Sequence, residues 1–446
     1  MKLFETLKNI WNIEDLRKRL LTTFLFIVLY RFGCHVVLPG INPADLEAMR
    51  NFTNSGLMQL LDMFSGGAFG QASIFALGIM PYITASIVIQ LLGMVVPSFQ
   101  KMQREGESGR MKLNQYTRYL TVAILLFQAP AYLWNLQYQV AAAGGHTQMP
   151  WYMTGYLMIV LTAGAMMIMW LGEKITDKGI GNGISIIILV GILARFPGAI
   201  VQEFASRLNT TQGGLVMFLV EIVVLFAVTA GAVMLTQGTR KVPVQYAKRI
   251  VGNKQYGGAR QYIPLKVNAA NVMPIIFAQA LMFIPITLAG FGARQDASGF
   301  GGWVSRNFGD MNSVWYNVVY FLMIVAFTYF YTAITVRPTQ MAEEMKKNSG
   351  FIPGIKPGKK TAEYLDSIMS RITLPGSLFL GIVAILPAFA RYFGINQQFA
   401  QFFGGTSLLI TVGVVLDTLQ QIESYLLMRH YDGLMKTGRL TGRSGM

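Results

Sequence analysis

Ile79-Met80-Pro81-Tyr82-Ile83-Thr84-Ala85 returns in the second half of the chain as Val272-Met273-Pro274-Ile275-Ile276-Phe277-Ala278, and each copy opens a long apolar run. In a chain that is 53% hydrophobic, short coincidences are expected. The pair decides the fold only if its two copies occupy equivalent places in a duplicated architecture, and the arrangement of the apolar runs supplies that test.

Composition places those runs in a bilayer. Of the 446 residues only 13% are charged, against about 25% in soluble domains. The apolar runs reach the ~20 residues that a hydrocarbon core requires of a helix. Outer-membrane strands alternate polar and apolar residues and give no such runs, so helices are favoured over a barrel. The single cysteine, Cys34, lies in the first run, which rules out a disulfide framework within the chain. Residues 1–20 carry five basic and three acidic residues ahead of an apolar run too long for a cleaved signal, so the first span is expected to be retained. Leu3, Phe4, Leu7, Ile10 and Trp11 suit one side of an amphipathic helix at the membrane surface, the alternative being a solvated lead-in.

Hydrophobic runs and their polar breaks predict ten spans, near 20–38, 74–96, 118–138, 153–172, 184–202, 213–236, 272–290, 313–335, 373–391 and 404–428. An even number puts both termini on one side. Segments on that side hold 30 of the 37 Lys and Arg, whereas the opposite loops hold Arg50, Arg207, Arg294, Arg306 and Arg391. Basic residues accumulate on the cytoplasmic face, so both termini are expected there, in a multi-pass protein of the plasma (inner) membrane. Trp134, Trp151, Trp303 and Trp315 fall near expected outer ends and Trp11 and Trp170 near the cytoplasmic face, as an interfacial aromatic belt requires.

The predicted fold is therefore all-α and polytopic, with ten transmembrane helices in two five-helix halves, 1–202 and 203–446. An odd number per half makes duplicated halves run in opposite directions. Met80-Pro81 opens the second span and Met273-Pro274 the seventh, each second in its half and opposite in direction, as an inverted repeat demands. Pathways in such proteins form where the halves meet near the midplane.

Several stretches stand out as site candidates. Residues 55–70, Ser-Gly-Leu-Met-Gln-Leu-Leu-Asp-Met-Phe-Ser-Gly-Gly-Ala-Phe-Gly, are too short and too broken by glycine to cross. Irregular backbone at membrane depth survives only inside protein or a water-filled cavity, so this segment either sits outside or plugs a cavity. Ile83 and Ile87, like Ile188 and Ile192, are four apart and share a helix face. Stiff isoleucine side chains suit a narrow ring that closes by dewetting, and equally suit lipid contact or core packing. The loop 237–271 carries Arg240, Lys241, Lys248, Arg249, Lys254, Arg260 and Lys266 with no acidic residue, a pattern that holds anionic lipid or the phosphates of RNA. The loop 336–372 adds seven basic residues, diluted by Glu343, Glu344, Glu363 and Asp366. Two loops of this length on one face resemble a docking platform.

Catalytic patterns do not emerge. The sequence has no His-Glu-x-x-His pair and no P-loop, and His35, His146 and His430 lie far apart. Gly-Ile-Gly-Asn-Gly at 179–183 follows no strand and reads as a chain turn. Arg31, Glu221 and Asp417 are the clearest charges within spans and thus functional suspects, with no specific account for Glu221.

Along essentially its whole length the chain resembles the SecY family of protein-translocation channel subunits. The resemblance rests on Met-Phe-Ser-Gly-Gly-Ala (63–68), Phe-Ala-Leu-Gly-Ile-Met-Pro-Tyr-Ile (75–83), Glu-Gly-Glu-Ser-Gly-Arg (105–110), Gln-Tyr-Thr-Arg-Tyr (115–119), Gly-Ile-Gly-Asn-Gly-Ile-Ser (179–185), Tyr-Ala-Lys-Arg (246–249), Pro-Leu-Lys-Val-Asn (264–268) and Gly-Gly-Thr-Ser-Leu-Leu-Ile (404–410), in this order. It implies an hourglass pore between the halves, closed by a ring of Ile83, Ile87, Ile188, Ile192, Ile276 and Ile410. It implies a plug at about 57–70, around Met63, Phe64, Ser65, Gly66, Gly67 and Ala68, and a lateral gate between spans two and three and spans seven and eight, with Gln90 and Gln279 as polar gate residues. The basic loops, with Arg240, Lys241, Lys248, Arg249, Lys254, Arg260 and Lys356, are implied to dock the SecA ATPase or the translating ribosome, with ribosomal RNA within reach, and SecE and SecG to be partners. Lys356 stands where the family usually has Arg, and an ammonium lacks the guanidinium fork. The tip of the earlier loop reads Asn253-Lys254 where many members carry a basic pair.

The expected function is passive conduction of unfolded polypeptides and signal sequences, with apolar segments released sideways into lipid and with no enzymatic activity, cofactor or metal. The competing reading is a secondary transporter of a small solute, since inverted repeats and proline-broken spans also occur there. Its weakness is the shortage of intramembrane carboxylates. An intramembrane hydrolase ranks third, lacking a paired nucleophile and base.

Overall fold

The computed structural model describes residues 11, 13–41, 62–142, 150–209, 214–246, 249–251, 254–256, 260–292, 307 and 313–437. The amphipathic positions Leu3, Phe4, Leu7 and Ile10, the start of the expected plug at 57–61, Trp303, and Lys248 and Asn253 of the basic loop lie outside the described residues.

Each expected span falls on a helix. These are α1 (Glu14–Cys34), α2 (Met80–Val95), α4 (Glu107–Ala142), α5 (Trp151–Lys178), α6 (Gly183–Asn209), α7 (Gly214–Gln237), α8 (Met273–Gly292), α9 (Val314–Thr335), α11 (Lys359–Tyr392) and α13 (Gly405–Thr437). The short helices α3 (Pro97–Arg104), α10 (Pro338–Lys347) and α12 (Gln397–Ala400) lie between them. Among the described residues seven helices are long and apolar enough to cross a membrane, or eight if α2 and α3 are one broken span. That pair bends by 104° at Val96, ahead of Pro97, because the ring of a proline forces the preceding residue out of the helical region. α1 is not among these seven or eight because it carries six charged residues between Glu14 and Arg31.

Both copies of the repeated motif do the same local work. Pro81 lies in the first turn of α2 and Pro274 in the first turn of α8, where a missing N–H costs nothing because that donor has no intrahelical partner. The second span nevertheless begins later than the sequence suggests: residues 74–79 are turns, with Gly78 at φ +57.

The all-α expectation needs correction in the basic loop. β1 (Thr239–Tyr246) pairs antiparallel with β4 (Arg260–Lys266), from Thr239 opposite Lys266 to Gln245 opposite Arg260. β5 (Gly350–Phe351) lies on the other edge of β1, with Tyr246 opposite Gly350. The strands β2 (Arg249–Val251) and β3 (Lys254–Tyr256) form a separate hairpin. The physical reason is alternation. Val242 and Val244 point inward between exposed Lys241 and Pro243, which is the period of a half-buried strand. Their inner face packs with Leu265 of β4, Met345 of α10, Ile352 just after β5, and Leu365, Ile368 and Met369 of α11.

The chain divides into two compact units, Met1–Gly198 with Val414–Met446, and Ala199–Gly413. In the first, α4 packs on α2 and α5 over a core containing Leu38, Phe69, Tyr132, Leu133, Leu136, Leu157 and Leu161. The glycine turn at 179–183 is fastened there from two helices. On α1, Arg19 Nη1 donates to Gly179 O at 3.2 Å and Thr23 Oγ1 accepts from Ile180 N–H at 3.1 Å. On α13, Gln421 Oε1 accepts from Gly181 N–H at 2.8 Å, and Arg19 lies over the Tyr425 ring at 5.3 Å. In the second unit α9 packs on α8 and α11.

Candidate functional site

The segment 62–79 has one turn of helix at Asp62–Phe64 and continues as turns. It satisfies its own backbone, as buried polar groups must. Gly67 N–H donates to Asp62 O at 2.7 Å and Gly66 N–H to Met63 O at 3.1 Å. Gly70 N–H donates to Asp62 Oδ1 at 2.6 Å and Phe69 N–H to Ser65 Oγ at 3.0 Å. A two-way clip, Leu38 N–H to Ala72 O and Ile74 N–H to Val36 O, both at 2.9 Å, ties its end to the residues following α1. Met63, Phe64, Ser65, Gly66, Gly67 and Ala68 are all buried, so residues 62–70 are enclosed by the protein itself.

Three helices of the first unit hold this segment. From α1, Tyr30 Oη donates to Ser65 O at 3.1 Å and Arg31 Nη1 to Gly66 O at 2.8 Å, while Cys34 Sγ lies 3.7 Å from Ser65 O. From α4, Tyr132 Oη donates to Phe69 O at 2.9 Å, and its ring meets that of Phe69 edge-on at 4.9 Å. From α6, Arg195 forms an ion pair with Asp62. The glycines make these approaches possible. Gly66 and Gly67 have φ of +67 and +92, a region costly for residues with a Cβ. A Cβ on Gly66 would meet Arg31 Nη1 and Gly191 Cα at 3.0 Å, and one on Gly67 would meet Arg195 Nε at 3.2 Å.

In the first unit Ile83 and Ile87 lie on the buried face of α2, and Ile188 and Ile192 are buried on α6. In the second, Ile276 is half-buried on α8 and Ile410 is buried on α13. Gln90 donates to Ser86 Oγ at 3.3 Å within α2, and Gln279 is buried on α8. Arg240 and Lys241 are exposed on β1, Arg249 begins β2 opposite Tyr256, Lys254 begins β3 opposite Val251, and Arg260 begins β4 opposite Gln245. Lys356 is exposed ahead of α11, its carbonyl accepting from Thr361 Oγ1 at 3.0 Å.

Sequence reasoning missed two polar centres. Arg195 and Asp62 form the first: Arg195 lies inside the apolar run of the fifth span, and that placement was its available signal. The second gives Glu221 its account. Arg207, expected in an outer loop, lies in the last turn of α6 and is buried. Its Nη2 donates to Glu221 Oε1 at 2.6 Å and to Gly394 O at 3.0 Å, and its Nε to Glu203 Oε1 at 2.9 Å. Asn396 N–H donates to Glu203 Oε2 at 2.9 Å. Two carboxylates and one guanidinium thus join the end of α6, α7 and the turn after α11.

Comparison with known proteins adds the lineage. The SecY family model matches residues 73–419. The chain is similar to the protein translocase subunit SecY of Streptomyces galbus, 46% identical over 435 residues that cover 96% of this chain and 98% of the relative. It is similar to the SecY of Mycobacterium tuberculosis at 42% over 441 residues, covering 95% and 97%. Among solved structures, a protein-conducting channel superposes with a TM-score of 0.62 at 20% identity over 95% of both chains. Sec61 from the canine ribosome-channel complex of the endoplasmic reticulum gives 0.60 at 19% over 95% of both. At such identities the two structures speak to the fold. The family model and the whole-length relatives speak to ancestry: the chain belongs to the SecY family.

Proposed function

We propose that the chain is the channel subunit of a bacterial protein translocase, conducting unfolded polypeptides across the plasma membrane and releasing apolar segments sideways into lipid. It is a channel subunit and not an enzyme. The observation that carries this reading is the whole-length match to curated translocase subunits, 46% identical over 96% of the chain. A small-solute transporter gains no support from any relative.

Within this reading ten spans form two inverted halves, 1–202 and 203–446, around an hourglass pore with both termini cytoplasmic. The repeated Met-Pro starts of α2 and α8 support the inversion. Ile83, Ile87, Ile188, Ile192, Ile276 and Ile410 form the ring, and residues 57–70 form the plug, a reading supported by the burial and self-satisfied backbone of 62–70. Gln90 and Gln279 border the lateral gate. The exposed cations of β1, with Lys356 and the β2–β3 hairpin, dock SecA or the ribosome and attract anionic lipid. SecE and SecG complete the membrane assembly.

The test is reconstitution of the chain with those two partners in liposomes, with SecA and ATP supplied outside. An unfolded precursor should become protease-protected inside. Absence of protection under conditions where a known translocase supports it would refute the proposal.

A further inference from the structure

Asp62 occupies a double role that the plug reading does not require. Its carboxylate accepts from Gly70 N–H and its carbonyl from Gly67 N–H, which folds the segment on itself. The same carboxylate pairs with Arg195 of α6, which fastens the folded segment to a helix. Asp62 is nearly buried, at 7% side-chain exposure, whereas Arg195 keeps 37%.

The helix side is organised to match. Ile188, Gly191, Ile192 and Arg195 follow the i, i+3, i+4, i+7 spacing of one helix face. Arg195 is thus one turn beyond the ring position Ile192, and Gly191 lets the segment lie against α6, since a Cβ there would meet Phe64 O at 2.9 Å. From the other side Arg31 of α1 donates to Gly66 O. The segment contributes one acidic side chain, and two arginines from two different helices hold it. Releasing it strips the nearly buried Asp62 of its partner, and a half-broken pair in a low-dielectric site is costly. The contact therefore favours two discrete states, seated and released, over gradual loosening.

Building on the proposed channel reading, we infer that the Asp62–Arg195 ion pair, seconded by Arg31 on Gly66, is an electrostatic latch that sets how readily the plug leaves its seat. Arg195 and Arg31 act as positioning residues for the closed channel.

The test uses the full-length chain with its membrane partners, read in two ways: hydrogen exchange of the amides between residues 62 and 74, and resting ion conductance in planar bilayers. D62N retains an acceptor for Gly70 N–H but removes the charge, R195Q removes the opposite charge, and R195K keeps it. D62N and R195Q should each speed exchange of that segment about tenfold, with the spans unaffected, because local opening sets its rate. The double variant should be no faster than either single one, since both remove the same interaction. R195K should restore slow exchange, and conductance should rise wherever exchange does. Unaltered exchange in both single variants, or additive effects in the double, overturns the latch. Faster exchange with an unaltered seal leaves the latch standing as a contact and instead removes the reading of 62–70 as the plug.

Discussion

Arg207 on α6 reaches Glu221 on α7 at 2.6 Å, and the same guanidinium holds Glu203 one turn back along its own helix at 2.9 Å. All three side chains are at least nine-tenths buried, and Glu221 Oε2 has no partner among the described residues. Removing one member of such a cluster leaves uncompensated buried charge. Arg207→Ala should therefore destabilise the chain by about 3–5 kcal/mol. Glu221→Gln should cost far less, because its carbonyl still accepts from Arg207 while one of two carboxylates loses its charge. Thermal unfolding in lipid nanodiscs checks the order, and equal losses from both variants would contradict it.

Gly67 and Gly354 have similar backbone angles, φ +92 and +84, but different surroundings. A Cβ at Gly67 meets the Arg195 guanidinium, whereas one at Gly354 meets nothing within 4 Å. Alanine at either site should cost roughly 1–3 kcal/mol of backbone strain. Only Gly67→Ala should raise resting conductance, because it alone disturbs the seated segment. Equal leakage from both would mean that strain, not the contact with Arg195, controls the seal.

The six isoleucines of the proposed ring differ in burial, from Ile192, with no exposure, to half-buried Ile276. Replacing all six with alanine keeps good helix formers while widening the constriction and weakening its dewetting. The resting channel should pass ions in planar bilayers. A variant that folds and remains sealed would place the barrier elsewhere.

On β1, exposed Arg240 and Lys241 precede buried Val242 and Val244. Arg240→Glu with Lys241→Glu should leave the sheet folded and weaken ribosome binding. If both side chains meet RNA phosphates, the slope of log affinity against log salt should become shallower by about one for each phosphate interaction removed. Val244→Asp should instead unfold the sheet, seen as protease cleavage within 237–271. Unchanged ribosome affinity and slope in the double charge reversal would remove β1 from the docking face.

The sequence exposes the helices well because long apolar runs and Pro81, Pro97 and Pro274 act locally. The buried segment was legible as Ser65-Gly66-Gly67, but not its enclosure, which depends on Tyr30, Arg31, Tyr132 and Arg195 arriving from distant helices. The sheet escaped notice because only two inward valines of β1 interrupt a basic stretch, and their period shows only against β4. Glu221 stayed unexplained because its partner Arg207 precedes it across a break between helices, so no helical spacing could pair them.

One consequence lies in α1 itself. Near its N-terminal end Arg19 and Thr23 grip the glycine turn at 179–183, and near its C-terminal end Tyr30 and Arg31 grip Ser65 and Gly66. Arg19 and Arg31 are separated by roughly 18 Å along one continuous helical rod. The helix is a lever held at both ends. A tilt large enough to free Arg19 from Gly179 also shifts Arg31 against Gly66, so the two grips answer to a single motion.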